Sequence, residues 1–247
     1  MSALLAGKTV LVTGASRGIG AAIAQAMSAE GAQVAITYRT RATEAQAVAD
    51  ACTGEVLVLP LEVGDRGSVE AAFDTLVSLW GGVDVLVNNA GYLHQMQFSE
   101  IDDAEWQRTL DINLKGVFLC TQVAEHCFRN KCEAAIINIT SVGGQMGGTK
   151  APHYAAAKAG VISMTKSAAR LLAPARVNAI APGFIKTDMY EQIIAETDVS
   201  EILADIPLGR VGLPHNVADA AVFLASEKAS YITGHVLNVN GGLYLGA

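Results

Sequence analysis

Hydrophobic positions fall in short unbroken runs, separated by longer stretches with helical spacing. Thr9–Thr13, Gln33–Tyr38, Glu55–Leu59, Val83–Val87, Ala134–Ile139, Arg176–Ile180 and Val236–Val239 read as strands. Their nearly continuous apolar content fits burial on both faces, as in a parallel sheet. Helical patterns lie between them. They run from the glycines after Thr13 through about Glu30, then over about Thr43–Cys52, Ser68–Leu79 and Asp102–Arg129, the last broken or bent near Asn113. Pro152–Leu172, with Pro152 suited to a first turn, and Pro214–Ser226 complete the set. Strands alternating with helices imply right-handed βαβ units. No linker, repeat or low-complexity segment interrupts the series. The pattern predicts an α/β fold: one doubly wound, Rossmann-type parallel sheet of about seven strands with helices on both faces, spanning 1–247 as a single domain.

Composition narrows the function classes. With 51% hydrophobic and 17% charged residues in 247, a large core is available. The net charge of −7, with no basic run, argues against a nucleic-acid partner. No apolar run reaches transmembrane length and the first residues are too short for a signal peptide, so the expectation is a cytoplasmic protein with no membrane association. The four cysteines show no zinc spacing and the five histidines are scattered. Reduced thiols and no metal are expected.

The first strand runs into Gly14-Ala-Ser16-Arg17-Gly18-Ile19-Gly20. Glycines here let the backbone turn sharply and approach a pyrophosphate, while a helix N-terminus offers free N–H groups and a positive dipole. The spacing Gly-x-x-x-Gly-x-Gly departs from the usual Gly-x-Gly-x-x-Gly. The second strand ends Tyr38-Arg39-Thr40-Arg41 with no carboxylate to accept a ribose 2′-hydroxyl. Arg17 and Arg39 instead suit a 2′-phosphate, which predicts NADP(H) over NAD(H). Arg41 reads as a solvated loop charge.

Tyr154 and Lys158 are four apart, so on a helix they share a face at about 6 Å between Cβ atoms. A phenol beside an ammonium is expected to have a depressed pKa and to serve as acid and base near neutral pH. The spacing alone arises by chance in roughly one chain in five of this composition. Thirteen residues upstream, Ser141 is placed to hold an oxygen being protonated; Thr140 beside it is the alternative hydroxyl.

Thr13–Gly20, Asn88-Asn89-Ala90-Gly91, Asn113, Ser141, Tyr154-x-x-x-Lys158 and Pro182-Gly183 occur in this order. Together they resemble the short-chain dehydrogenase/reductase superfamily over essentially the whole chain. The ending Ile206–Pro214, Phe223–Ser226 and Ala229–Gly242 is similar to the 3-oxoacyl-[acyl-carrier-protein] reductases. The resemblance implies a catalytic set of Asn113, Ser141, Tyr154 and Lys158. Tyr154 protonates the carbonyl, Lys158 lowers its pKa and bonds the nicotinamide ribose, Ser141 positions the oxygen, and Asn113 holds a relay water. It further implies cofactor contacts at Gly14, Ser16, Arg17, Gly18, Ile19, Gly20, Arg39, Asn89, Ala90 and Gly91, and at Pro182, Gly183, Ile185 and Thr187 beside the nicotinamide. Val63 is expected at the adenine, with Glu62 before it where the family commonly has Asp or Asn.

Two other departures touch the surface expected to meet an acidic acyl carrier protein. The link Leu172–Val177 is short, and Cys132 falls where carrier-docking relatives often place an arginine. The reading is therefore an NADPH-dependent reductase of 3-oxoacyl thioesters on a carrier protein. The alternatives are a reductase of free ketones, β-keto esters or 3-oxoacyl-CoA, and an inert cofactor-binding scaffold. A short substrate lid is expected over about 187–206. The resemblance also implies a homotetramer, paired through helices near Gly116–Cys120 and Tyr154–Gly160.

Overall fold

The computed structural model describes residues 3–194 and 199–246. Its elements, in chain order, begin with β1 (Thr9–Val12), α1 (Gly18–Ala29), β2 (Gln33–Tyr38), α2 (Ala42–Asp50), β3 (Val56–Pro60), α3 (Arg66–Trp80) and β4 (Val85–Asn88). There follow α4 (Asp103–Leu110), a π turn (Asp111–Lys115), α5 (Gly116–Cys127), β5 (Ala135–Ile139), α6 (Gly143–Met146), α7 (Pro152–Leu171) and β6 (Arg176–Pro182). The chain continues through α8 (Asp188–Ile194), α9 (Val199–Ala204), α10 (Pro214–Ala225) and β7 (Val236–Val239).

The seven strands form one sheet in the order β3-β2-β1-β4-β5-β6-β7, parallel throughout. Alternation along each strand sends side chains to two separate cores. Val10 and Val12 pack with Ile23 and Met27 of α1 and with Val217 of α10. Leu11, between them, packs on the other face with Phe73 and Leu76 of α3 and Leu119 of α5. Both faces are thus covered, which is why the strands read as continuous apolar runs.

Local chemistry sets the helix ends. Asp65 caps α3 by accepting the Ser68 N–H at 2.7 Å, and Gly81 closes that helix at φ 74°. Asp102 caps α4 by accepting the Glu105 N–H at 2.8 Å.

Three features refine the sequence expectation. The irregularity expected near Asn113 is a π turn: the backbone stays right-handed from Leu110 through Gly116 and widens there without a break. One inserted residue is absorbed by i→i+5 bonding, which leaves the helix continuous but re-aims Asn113. Strand β6 runs on to Pro182, because its ladder with β7 continues through Ala181↔Asn238 and Pro182↔Val239. The expected lid contains α8 and α9; its residues 195–198 lie outside the described residues.

Sheet order reverses at β1, whose neighbours are β2 and β4. In open α/β sheets the strand C-terminal ends at such a switch point form a crevice. Here it is a cleft of about 680 Å³, lined by the glycine loop after β1, the ends of β5 and β6, and parts of α7 and α8. No helix among the described residues is long and apolar enough to cross a membrane.

Candidate active site

The loop after β1 is held open from below. Asn89 Nδ2 donates to the carbonyls of Thr13 at 2.9 Å and Gly14 at 3.1 Å. Thr13 Oγ1 accepts the N–H groups of Asn89 at 2.9 Å and Ala90 at 3.0 Å. Gly14 takes φ 63° and Gly18 φ 59°, the left-handed region that glycine enters without strain. A Cβ on Gly20 would stand 2.4 Å from Asn89 Nδ2, so that position has no room for a side chain. Arg17 occupies the N-cap of α1 and supplies no side-chain cap, leaving the first N–H groups of the helix for another acceptor. Gly14, Arg17, Gly18, Ile19 and Gly20 all line the cleft. This cradle fits a pyrophosphate.

Across the cleft, Pro182 accepts the Val142 N–H at 2.9 Å and Gly183 donates to Val239 O at 3.0 Å. Thr187 Cγ2 approaches to 3.4 Å of where a Gly18 Cβ would be, so the two walls almost meet. Pro182, Gly183, Ile185 and Thr187 line the cavity. The predicted phosphate arginines are both engaged within the chain. Arg17 pairs with Asp188 at the start of α8, and Arg39 Nη1 lies 3.5 Å from Glu62 Oε2. Val63 is buried behind them; a Cβ on Gly116 would lie 2.7 Å from its Cγ2. Ser16 sits on the glycine loop but is not among the cleft-lining residues.

Tyr154 and Lys158 project from the first turns of α7 into the same cavity as Ser141. The Ser141 side chain neighbours the Tyr154 hydroxyl in this cavity and draws its pKa down. Ser141 Oγ also accepts the Gly143 N–H at 3.1 Å, at the start of α6. Thr140 is occupied elsewhere: its hydroxyl donates to the Lys158 carbonyl at 2.9 Å, and it is only 3% exposed. Of the two candidate hydroxyls, Ser141 is the one that acts on the phenol's pKa. Asn113 is fully buried on the π turn. Its Nδ2 donates to the carbonyls of Tyr92 at 2.8 Å and Thr109 at 3.0 Å, and its Oδ1 accepts the Tyr92 N–H at 3.1 Å. It therefore clamps the chain immediately after Gly91. Asn88 bonds Asn138 Oδ1 at 2.9 Å and Thr121 at 3.2 Å, a buried cross-sheet link.

The expected depression of the Tyr154 pKa by Lys158 is not found. Burial pushes the Tyr154 phenol up to about 12, and only the Ser141 side chain opposes it. The reason is orientation: Lys158 Nζ donates to Ile139 O at 2.9 Å and stands 5.6 Å from the Tyr154 ring centroid. Burial also lowers Lys158 itself, to about 8, so it remains largely cationic at neutral pH.

Sequence reasoning missed several wall residues, among them Leu93, Gln95, Met146, Phe184, Tyr190 and Ile202. Only the lid position of Tyr190 and Ile202 carried a signal. His94 is not among the cleft-lining residues; its Nδ1 lies 3.6 Å from Glu105 Oε1. The turn Arg129–Cys132 precedes β5, at the end of the parallel sheet opposite the cleft. Its cations are paired, Arg129 with Asp84 at 3.2 Å and Lys131 with Glu125 at 3.0 Å. Among the described residues, no group of three or more His, Cys, Asp or Glu is arranged to hold a metal ion.

A family model described as enoyl-(acyl carrier protein) reductase matches residues 14–244. The chain is 43% identical over 243 residues to the 3-oxoacyl-[acyl-carrier-protein] reductase FabG of Staphylococcus aureus (strain N315), covering 96% of this chain and 98% of that protein. It is 43% identical over 241 residues to the Escherichia coli (strain K12) protein of the same name, covering 97% and 98%. A solved short-chain dehydrogenase/reductase from Brucella melitensis, described as a glucose/ribitol dehydrogenase, superposes with TM-score 0.94 at 33% identity over 100% of both chains.

Proposed function

The chain belongs to the short-chain dehydrogenase/reductase family, and from that premise we propose that it reduces a 3-oxoacyl thioester to the 3-hydroxyacyl product with NADPH. The observation that carries this reading is convergence. Tyr154 with Ser141 beside it, the buried Lys158 ammonium and the glycine cradle open into one cleft. Reduction of a carbonyl needs a hydride donor, a proton donor and a fixed oxygen. When bound, the nicotinamide supplies the hydride. The chain supplies the rest. Tyr154, protonated at neutral pH, gives its hydroxyl proton to the carbonyl oxygen as that oxygen gains charge. Ser141 donates a hydrogen bond to the same oxygen and fixes its position. Lys158 keeps a positive charge beneath the phenol and has donors to spare for a ribose hydroxyl. Asn113 fixes the segment at Gly91, whose Cβ position lies 3.8 Å from Lys158 Nζ.

Arg17 and Arg39 support a cofactor with a 2′-phosphate, because forked guanidinium bonds suit that group. A 3-oxoacyl group on an acyl carrier protein is the substrate named in the S. aureus and E. coli relatives. A second reading, a free ketone, β-keto ester or 3-oxoacyl-CoA, draws support from the paired cations of the Arg129–Cys132 turn and its place far from the cleft. We also assign a homotetramer and a cytoplasmic location on the resemblance. Exposed Phe118 on α5 and Leu171 on α7 suit helix pairing between copies.

The deciding experiment follows NADPH absorbance with acetoacetyl groups on a carrier protein, on coenzyme A and in simple esters. Preferred turnover of the carrier thioester supports the first reading, and preferred coenzyme A or ester turnover the second. Binding of NADPH without turnover of any carbonyl would leave only a scaffold.

A further inference from the structure

Beside the site lies a polar cluster that the mechanism above does not use. Its centre is Glu105, on the first turn of α4, whose side chain is only 12% exposed. Glu105 Oε2 accepts the Tyr92 hydroxyl at 3.3 Å, and Oε1 accepts the Thr109 hydroxyl at 3.4 Å. His94 Nδ1 approaches Oε1 to 3.6 Å, and His153 Nε2 approaches it to 3.7 Å. His153 is the unusual member: it is fully buried, and neither ring nitrogen has a hydrogen-bond partner. Buried polar groups are nearly always satisfied, because an unmade bond costs about 1–3 kcal/mol. A separation of 3.7 Å is too long for a neutral hydrogen bond but within reach of an ion pair.

The cluster touches both sides of the chemistry. Tyr92, His94 and the cleft-lining Leu93 and Gln95 belong to one loop. Asn113 clamps the start of that loop through Tyr92, and Met96 N–H donates to Lys150 O at 3.0 Å at its end. His153 immediately precedes Tyr154 on α7. Glu105 thus ties α4 to the wall loop and to the turn that carries the phenol.

We propose that Glu105 is a positioning residue for this wall of the cleft, and that His153 is the partner through which protonation tightens it. The activity arm of the test rests on the carbonyl-reductase reading. Neutral His153 leaves the tie slack. His153 as imidazolium would pair with the Glu105 carboxylate and draw α7 and the wall loop together. The charged groups acting on His153 are Glu105 from α4, which favours the cation, and His94 from the loop, which opposes it. Burial opposes the cation more than either. Arg108 stacks on the Tyr92 ring at 4.3 Å and keeps a positive charge on the far side of the cluster. The tightening is therefore confined to the acid side of neutral.

The test compares the parent with Glu105→Gln, which keeps the shape and the acceptor but not the charge, and with His153→Phe, which cannot titrate. The KM for the carbonyl is measured at saturating NADPH from about pH 5.5 to about 8.5. Expected are a parent KM that falls toward acid pH, and variants with a flat profile and a KM roughly tenfold higher at the acid end. Expected too are kcat within roughly threefold and an unchanged Kd for NADPH, which a general loss of structure would not leave intact. Nitrogen-15 imidazole titration, which needs no turnover, should show the His153 midpoint falling in Glu105→Gln. An unmoved midpoint overturns the proposal, as does a parent-like KM profile in Glu105→Gln. If His153→Phe does not fold, Glu105→Gln and the titration decide. A parent that reduces no carbonyl defeats the proposed function alone, and the midpoint still decides this one.

Discussion

The Lys158 ammonium stands 5.6 Å from the centre of the Tyr154 ring, yet its hydrogen bond goes to Ile139 O rather than to the phenol. Lys158 is buried and Tyr154 half-buried, and removal from water drives their pKa values toward the neutral forms: Tyr154 up to about 12, Lys158 down to about 8. The free protein therefore holds a strong proton reservoir beside a cation that the fold disfavours. This is the strain expected where function is kept at the expense of stability.

That strain is measurable. Lys158 falls from 10.5 in the unfolded chain to about 8 in the fold, a difference of about 3 kcal/mol. The folded state binds fewer protons, so this penalty is absent above pH 10.5, develops as pH falls toward 8, and is complete below it. Lys158→Met removes the charge and one bond to Ile139, the latter worth about 1 kcal/mol. The expected result is a Tm raised by roughly 4–8 °C at neutral pH, with the gain shrinking as pH rises above 8, and loss of turnover. A lower Tm at neutral pH would show that burial does not strain this lysine.

Tyr154→Phe deletes the hydroxyl and keeps the ring. Carbonyl reduction should fall by about 10²–10⁴-fold, the usual contribution of a positioned acid, while the Kd for NADPH stays within a few-fold of the parent because the glycine cradle is untouched. Stopped-flow turnover with fluorescence titration of the cofactor checks both. Retained turnover would return the acid to another residue.

How much of this was legible beforehand differs by feature. The strands were, because a sheet buried on both faces requires unbroken apolar runs such as Ala135–Ile139. The glycine loop was, because Gly14 and Gly20 leave no room for side chains. The place of the π turn was legible as an expected break or bend near Asn113, but its form was not: an inserted residue at Asp111–Lys115 keeps the helix going. Helix α6 was not, because Gly143-Gly-Gln-Met146 has no apolar stripe. The direction of the Tyr154 shift was misread, because i, i+4 spacing fixes where two Cβ atoms lie and not where a long lysine sends its ammonium. The Arg17–Asp188 pair spans 171 positions, and no local pattern announces it.

Arg39 lies half-exposed at the end of β2 with Glu62 as its partner. Arg39→Asp removes a phosphate ligand and adds a carboxylate where a ribose 2′-hydroxyl would sit. KM for NADPH should rise roughly ten- to hundredfold, the scale of one charge-assisted contact, and KM for NADH should fall. Steady-state kinetics with both cofactors tests this, and equal use of the two by the parent would remove the case for a phosphate site.

Helix α6 makes the placement of Ser141 sensitive to a residue that touches no substrate. A Cβ on Gly144 would stand 2.8 Å from the Lys158 carbonyl carbon and 2.9 Å from the Ala159 nitrogen, both backbone atoms of α7 that cannot swing aside. Gly144→Ala must lift α6 away from α7, carrying with it the Gly143 N–H that orients Ser141 Oγ. Ser141 then moves relative to Tyr154. A cost of about 1–3 kcal/mol in stability is expected from the overpacking, with kcat lowered roughly tenfold or more and NADPH affinity preserved. Gly143→Ala is the control, since its Cβ would meet only Ser141 Oγ, at 3.4 Å. It should be the milder of the two in both Tm and kcat. The reverse order would mean that contact between α6 and α7 does not set the hydroxyl pair.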